Sequence, residues 1–404
     1  MIIDSNKKYK QFVNTEAIKL RSANKVNTNH SNYFRDIGSI PLEDINYSDQ
    51  LAIKLKALKN IFTKIIPNST LDRLEIVPSP ETYEYRFRMD YVCSFNPIHE
   101  PNNRLGQRKA GKFNWVVDME DSVLFSKTWF KKVREVYKKA LELEIPLYDL
   151  VKHTGELRYL VVRQNKENAM LSIVTTNKDN SNLDKLLDFA VNQGFKSVNL
   201  VFQPSVTDTV DGEIVRCVGE NYIEIEIGNK KFRVGANTFF QNNINAFKKI
   251  INFIKPYLDK NEILIDLYAG IGTLGIVFGD KFRKIYGYEL VKDNVEFAKK
   301  NIELNGINHY EIFQKDLNDK DSIENLPLHQ TLIVDPPRNG LEKNGVVHVL
   351  SFRPKQIIYI SCNPVTQAAD LKELINAGYK VINIRAFDLF PHTLHIENVV
   401  ILEI

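Results

Sequence analysis

The chain has 404 residues, 43% hydrophobic and 26% charged, with 54 basic against 50 acidic side chains for a net charge of +4. These are ordinary globular proportions, which exclude a mostly disordered or fibrous chain, and the length suits two or three domains. No run approaches the ~18 apolar residues of a membrane span, and the N-terminus carries no apolar signal-peptide core, so a cytoplasmic protein without membrane contact is expected.

Three cysteines, Cys93, Cys217 and Cys362, are too few and too dispersed for a disulfide framework or a four-thiolate metal site. Reduced thiols are therefore expected. The mild basicity permits a polyanionic partner without demanding one.

In chain order, the first forty-odd residues are polar, and Asn24–Phe34 reads as loop or flexible tail. Residues 1–44 are thus taken as a polar, partly flexible extension. Leu51, Ile53, Leu55, Leu58 and Ile61 predict a helix over Tyr47–Ile66, stopped near Pro67. Mixed elements follow. Tyr83–Phe95, Trp115–Val117, Leu157–Val162, Ala169–Val174, Lys196–Phe202 and Tyr222–Val234 read as strands; Lys127–Glu142 and Leu183–Gln193 read as helices. After Gly235 strands and helices alternate. A helix at Asn243–Tyr257 precedes strands at Ile263–Leu267, Lys284–Tyr288, Tyr310–Gln314, Thr331–Val334 and Gln356–Ile360, with helices at Lys292–Asn305 and Pro364–Ala377. Late strands at Tyr379–Phe387 and Asn398–Glu403 would form a hairpin at one edge. This alternation predicts an α/β fold with a doubly wound, mostly parallel sheet over 236–404, behind an α+β domain over 45–235.

Four motifs carry chemistry. In Asp266-Leu267-Tyr268-Ala269-Gly270-Ile271-Gly272-Thr273-Leu274-Gly275 an apolar strand runs into a glycine-rich turn and a helix. Glycines let a ligand approach the backbone closely. Glu289 ends the next strand, 19 residues after Gly270, where a carboxylate can accept both hydroxyls of a ribose. The glycine spacing fits a dinucleotide; the leading Asp266 tilts towards S-adenosylmethionine; a tight turn without ligand is the third reading. Asp316 follows the next strand and could reach an adenine amino group or lie solvated in a loop.

The second motif, Val334-Asp335-Pro336-Pro337-Arg338-Asn339-Gly340, ends a strand with an acid and two prolines. Proline cannot donate to a sheet ladder, so the strand stops and Asp335 stands at the carboxyl edge, where ligands bind in such sheets. Amino-directed nucleobase methyltransferases carry an aromatic after the prolines; here Arg338 stands there. In the third, Ile360-Ser361-Cys362-Asn363-Pro364, Asn363 is a natural helix N-cap and Pro364 a natural first helical residue. The helix N-terminus would favour thiolate at Cys362; a buried, inert thiol is the other reading, and the one assigned to Cys93 and Cys217. The fourth, Phe390-Pro391-His392-Thr393-Leu394-His395-Ile396-Glu397, offers a general base in Glu397, against a zinc site from His392, His395 and Glu397.

In this order the four motifs resemble those of the uracil-carbon-5 RNA methyltransferases that form 5-methyluridine. Thr238-Phe239-Phe240-Gln241-Asn242 resembles the family's F-x-Q segment. Tyr85-Arg86-Phe87-Arg88, His153-Thr154-Gly155-Glu156-Leu157-Arg158 and Tyr47-x-x-Gln50-Leu51 resemble its central-domain segments. The resemblance spans roughly residues 45–404 and implies an S-adenosylmethionine-dependent enzyme with a Rossmann-like catalytic domain and an RNA-recognition domain. It implies Cys362 as nucleophile and Glu397, 35 residues later, as base. Gln241, Tyr268, Gly270, Thr273, Glu289, Asp316 and Asp335 would hold the methyl donor, and Phe239 and Arg338 the target base; Phe239 as a mere core aromatic is the alternative. No metal ligand is expected. Several members bind an iron–sulfur cluster through four N-terminal cysteines, and many carry an oligonucleotide-binding barrel. Neither is expected here, since only Cys93 and Cys217 lie outside the catalytic domain and the residues before Tyr47 are few and polar; this resembles the transfer-RNA branch, which methylates the T-loop uridine, with a ribosomal-RNA uridine as the alternative target. A monomer is expected.

Six basic residues fall between Arg86 and Lys112, the others being Arg88, Arg104, Arg108 and Lys109, against Asp90 and Glu100, with Tyr85, Phe87, Tyr91, Phe95 and Phe113 nearby. Basic side chains neutralise phosphates while aromatics stack unpaired bases. An RNA-facing surface including Arg86 and Arg88 is expected here, against a solvated strand face with half its aromatics in the core. A cytosine-C5 methyltransferase is disfavoured, because the Asp335 loop lacks its usual cysteine. A non-catalytic RNA-binding protein is disfavoured by Cys362 and Glu397.

Overall fold

Ile263-Leu264-Ile265, Thr331-Leu332-Ile333-Val334 and Ile357-Ile358-Tyr359-Ile360 leave no polar face, so each strand must be covered on both sides. The computed structural model, which describes residues 7–26, 30–207, 210, 212–258, 262–319 and 330–404, meets that demand. In chain order the elements are α1 (Lys7–Ser22), α2 (Tyr47–Phe62), α3 (Asn68–Leu71), β1 (Ile76–Val77), β2 (Arg88–Phe95), β3 (Asn103–Arg108), β4 (Val116–Asp118), α4 (Lys127–Glu142), β5 (Leu157–Gln164), β6 (Ala169–Thr175), α5 (Asn182–Asn192), β7 (Ser197–Phe202) and β8 (Glu213–Gly219). A hairpin of β9 (Ile223–Ile227) and β10 (Lys230–Val234) leads to α6 (Ile244–Ile254), β11 (Glu262–Leu267), α7 (Thr273–Val277), β12 (Phe282–Glu289), α8 (Lys292–Leu304) and β13 (Tyr310–Gln314). The chain closes with β14 (Thr331–Val334), α9 (Glu342–Ser351), β15 (Gln356–Ser361), α10 (Pro364–Asn376), β16 (Lys380–Phe387) and β17 (Glu397–Glu403).

The large sheet has the order β1-β16-β17-β15-β14-β11-β12-β13. Every neighbouring pair is parallel except those of β17, which runs antiparallel between β15 and β16. The late strands therefore pair as expected, but β17 sits inside the sheet and β1 supplies the edge. Side chains alternate between two cores. Leu264, Ile333, Ile358, Ile360, Val399 and Ile401 meet α6, α7, α8 and the β9–β10 hairpin. Ile265, Leu267, Leu332, Val334, Tyr359 and Val400 meet α1, α2, α9 and α10.

The polar start of the chain differs from its reading. Helix α1 buries Tyr9, Val13 and Ala17 completely, one face at four-residue spacing among charged neighbours. That face is too narrow to stand out in the sequence. Together α1, α2 and β1 lie on the large sheet, so these elements pack with residues 236–404, while Ile37 and Ile40 between α1 and α2 join the core of the second sheet.

That second sheet has the order β4-β3-β2-β5-β6-β7-β8, and α4 and α5 cover one face of it. The expected strand over Tyr83–Phe95 starts only at Arg88. Before it, Glu84 takes a positive φ of 50° and the Phe87 N–H donates to the Asn242 carbonyl. The expected strand over Tyr222–Val234 is two strands, turning at Gly228. Among the described residues no helix is long and apolar enough to cross a membrane.

Candidate active site

The parallel strands β11 to β15 end on one edge of the large sheet, and each delivers a polar residue there. After β11 the backbone turns through Tyr268, Gly270 and Gly272, all with positive φ. Gly272 needs this freedom to start α7, and a side chain at Gly275 would strike the Tyr310 ring. β12 ends in Glu289, β13 leads to Asp316, β14 stops at Asp335, and β15 leads to Cys362. β17 runs the other way, so its first residue, Glu397, reaches the same edge. Ser361 pairs with Asn398. One step further brings Cys362 beside Glu397.

These ends open into a cleft of about 550 Å³ whose walls include Phe239, Gln241, Tyr268, Gly270, Thr273, Glu289, Asp316, Asp335, Arg338, Cys362 and Glu397. Eleven of the thirteen residues singled out from sequence thus share one cavity. Arg86 and Arg88 do not line it. Arg88 pairs with Asp90, and Arg86 contacts the Met89 sulfur.

One half of the cleft is built for a ligand bearing hydroxyls and positive charge. Glu289 accepts from the Gly270 N–H at 2.9 Å and the Val291 N–H at 2.8 Å, which fixes its carboxylate and leaves lone pairs facing the cavity. Gly270 has open space where a Cβ would stand. Asp266 accepts from the Gly275 N–H at 3.1 Å and the Tyr310 hydroxyl at 3.0 Å, joining the turn to the neighbouring strands. Burial still pushes its carboxyl up to about 7. Burial, with Asp266 beside it, does the same to Asp335, also to about 7. The Gln241 amide donates to Asp335 at 3.2 Å and ties the F-x-Q segment to the edge. Five carboxylates (Asp266, Glu289, Asp316, Asp335 and Glu397) face Lys315 and Arg338. That acidic lining suits a sulfonium and an ammonium group better than the pyrophosphate of a dinucleotide. S-adenosylmethionine therefore fits these residues.

The other half holds the thiol. Asn363 caps α10, accepting from the Val365 N–H at 3.1 Å, and its amide donates to the Arg338 carbonyl at 2.7 Å. The cap thus fastens the Cys362 loop to the Asp-Pro-Pro-Arg loop. The expected thiolate does not follow from this geometry. Burial first, then the Glu397 and Asp335 carboxylates, push the Cys362 thiol up to about 12, and Arg338 offsets only part of that. Desolvation outweighs the helix terminus. Burial and Asp335 also raise the Glu397 carboxyl well above its ordinary value.

The zinc reading fails on geometry. His392 turns away and meets the Gln50 amide at 3.1 Å, while His395 and Glu397 line the cleft. Among the described residues no group of three or more His, Cys, Asp or Glu is placed to hold a metal ion. Cys93 is buried, as expected, but Cys217 is exposed.

Phe239 is no core aromatic: it is 62% exposed at the rim. Its N–H donates to the Asn294 side chain at 3.1 Å. The basic stretch divides. Arg104 is buried and spends its guanidinium on the carbonyls of Glu100, Pro101 and Val116. Tyr85, Phe87 and Tyr91 are core, whereas Phe113 is 70% exposed. Sequence reading considered His395 only as a metal ligand. In the cleft it stands edge-on to Phe390, and burial and then Arg338 push its pKa down to about 3, so it is a neutral polar group of the wall. Its position two residues before a candidate base was the available signal.

Residues 180–404 match the family described as tRNA (Uracil-5-)-methyltransferase. An uncharacterized RNA methyltransferase of Caldanaerobacter subterraneus subsp. tengcongensis is 33% identical over 384 residues, covering 92% of this chain and 84% of the relative. The tRNA (uracil(54)-C(5))-methyltransferase of Pyrococcus furiosus is 30% identical over 366 residues, covering 90% of this chain and 82% of that protein. The crystal structure of Pyrococcus abyssi tRNA (uracil-54, C5)-methyltransferase in complex with S-adenosyl-L-homocysteine matches with a TM-score of 0.76 at 29% identity, covering 92% of this chain and 86% of that one.

Proposed function

The chain belongs to the tRNA (uracil-5-)-methyltransferase family, and on that premise we propose that its cleft methylates carbon 5 of a uridine in transfer RNA through a covalent cysteine–uracil adduct. The observation that carries the proposal is the meeting of Cys362 and Glu397 on the sheet edge that also holds Glu289, Asp316 and Asp335.

When bound, S-adenosylmethionine supplies an electrophilic methyl group on a sulfonium. Glu289 would take its ribose hydroxyls, Asp316 its adenine amino group, and Gln241, Thr273 and Asp335 its amino-acid end, with Tyr268 and Gly270 forming the wall. Carbon 5 of uracil is a poor nucleophile. The Cys362 thiol loses its proton to a base in the cleft, and the sulfur adds to carbon 6, so that negative charge moves to carbon 5 and oxygen 4. Carbon 5 then takes the methyl group. Glu397 removes the proton left on carbon 5, the sulfur–carbon 6 bond breaks, and the 5,6 double bond returns.

The raised Cys362 pKa restricts the first step. Burial and two carboxylates hold the thiol protonated, so a base must take its proton before the sulfur can add. Arg338 on the stiff Asp335 loop and Phe239 at the rim are placed to bond and stack a base drawn from its helix or loop. The seven-stranded sheet and its exposed Phe113 would carry the RNA-recognition role.

Methyl transfer from labelled S-adenosylmethionine to separated transfer and ribosomal RNA lacking 5-methyluridine tests this, with a Cys362→Ala control and nucleoside analysis. Methyluridine in transfer RNA, lost in the control, is expected; mapping its position tests the T-loop. Label confined to ribosomal RNA overturns the substrate, methylcytidine overturns the base, and no transfer at all overturns the activity.

A further inference from the structure

Tyr47, Gln50 and Lys54 lie at i, i+3 and i+7 on one face of α2, far in sequence from every cleft residue. That face meets the loop from Asp388 to Ile396, which carries Phe390 and His395 and delivers Glu397. The contact is polar and buried. The Lys54 ammonium donates to Asp388 Oδ1 at 2.8 Å, with both side chains fully buried. It also reaches the Phe390 carbonyl at 3.3 Å. The Gln50 side chain accepts from the His392 N–H at 3.0 Å and meets His392 Nδ1 at 3.1 Å. Its amide also donates to the Leu42 and Ile45 carbonyls.

Other elements hold the rest of the loop. The Leu389 carbonyl accepts from Asn243, the Pro391 carbonyl from the Tyr85 hydroxyl, and the His392 carbonyl from the Leu42 N–H. His392 itself has a positive φ of 66°, a backbone state uncommon for a residue other than glycine. Two long, flexible side chains and a buried charge are a costly way to make a core contact, since an apolar pair of similar volume packs as well or better. What the ion pair adds is direction. It fixes where the loop turns, and so where the carboxylate at the head of β17 stands.

We infer that Gln50 and Lys54 are positioning residues for the Glu397 base, so that the segment before the seven-stranded sheet forms part of the catalytic machinery's support. The inference rests on the reaction proposed above. A displaced base leaves sulfur addition and methyl transfer intact and slows the removal of the carbon 5 proton. The enzyme then stays attached to RNA. A merely structural lesion lowers addition and release together.

The test uses Lys54→Met, Gln50→Leu and the double variant Lys54→Met/Asp388→Asn, which leaves no unpaired buried charge, beside the parent enzyme and Glu397→Gln. Each full-length protein is given an unmodified transfer-RNA transcript and S-adenosylmethionine. Turnover and the fraction of protein in a denaturation-stable RNA adduct are read, with S-adenosylhomocysteine affinity as the measure of an intact donor half. The expected result is turnover lowered by about 10²-fold, the scale of a 1 Å misplacement. Donor-half affinity stays unchanged, and adduct accumulates as in Glu397→Gln. Unchanged turnover in any folded variant overturns the inference, as does a parallel fall of turnover, adduct and affinity. If Lys54→Met does not fold, the double variant and Gln50→Leu decide by the same criteria. A parent enzyme that transfers no methyl to uridine is a different outcome, which fails the proposed reaction itself.

Discussion

The state of the Cys362 thiol in the empty enzyme is the sharpest quantity the cleft offers, because two effects on it oppose each other. The N-terminus of α10 favours thiolate; burial and two carboxylates favour thiol, and they place it near 12 rather than 9. At neutral pH that difference leaves ~10³-fold less thiolate than in an ordinary cysteine. The thiolate that does form is more nucleophilic, by ~15–30-fold for a Brønsted slope of ~0.4–0.5. The net expectation is alkylation by iodoacetamide ~30–60-fold slower than an unperturbed thiol at about pH 7.5. The assay is built into the chain, since Cys217 is exposed and Cys93 buried. Mass spectrometry of the three peptides over time gives three rates from one sample. Cys217 should react first, Cys362 far behind it, and Cys93 not at all without unfolding. The Cys362 rate should rise ~10-fold per pH unit between about pH 7 and 9, because only the thiolate reacts. Alkylation of Cys362 as fast as Cys217, or a flat pH profile, refutes the reasoning: the helix terminus would then have outweighed desolvation.

Three further outcomes follow from the cleft's construction. Gly275→Ala should lower the melting temperature, because a Cβ there lies 2.4 Å from the Tyr310 ring and overpacking costs about 1–3 kcal/mol; Gly270→Ala meets open space but a left-handed backbone, so it should cost about 1–2 kcal/mol and also weaken S-adenosylhomocysteine binding by calorimetry, and unchanged binding would contradict a donor site at this turn. Asp266 has its folded carboxyl raised to about 7 from an ordinary 3.8, so the native state holds its proton more tightly than the unfolded state; its favourable contribution is complete below the unfolded value and is lost as pH rises through the folded one. Asp266→Asn should therefore melt higher than the parent at about pH 8 and no higher at about pH 4, and equal displacement at both would contradict the sign. Phe239→Ala removes a mostly exposed ring, so stability should stay within about 0.5 kcal/mol while the KM for RNA rises; a large drop in melting temperature would show that the ring packs rather than reads RNA.

The legibility of this chain followed the range of its interactions. The donor half was readable because its parts are local: Asp266 to Gly275 is one strand–turn–helix unit, and Glu289 closes it through two backbone N–H groups at the end of the next strand. The Cys362 loop was readable for the same reason, with cap, proline and thiol adjacent in sequence. Its protonation was not, because the helix terminus is a local feature and burial is a property of the whole cleft. The basic stretch misled in the same way. Arg104 looks like its neighbours in sequence, but its guanidinium closes a turn among carbonyls and never faces solvent. Helix α1 was lost because three buried residues in sixteen make a weak stripe, and what they cover, the α2 and α10 side of the sheet, is assembled from both ends of the chain. Gln50 and Lys54 are the extreme case. Their partners lie 342 and 334 residues away, and nothing in the local pattern of α2 distinguishes a lysine that crosses a core from one that faces water. A motif there could be matched to a family, but its contact with the loop that carries Glu397 is written only in the fold.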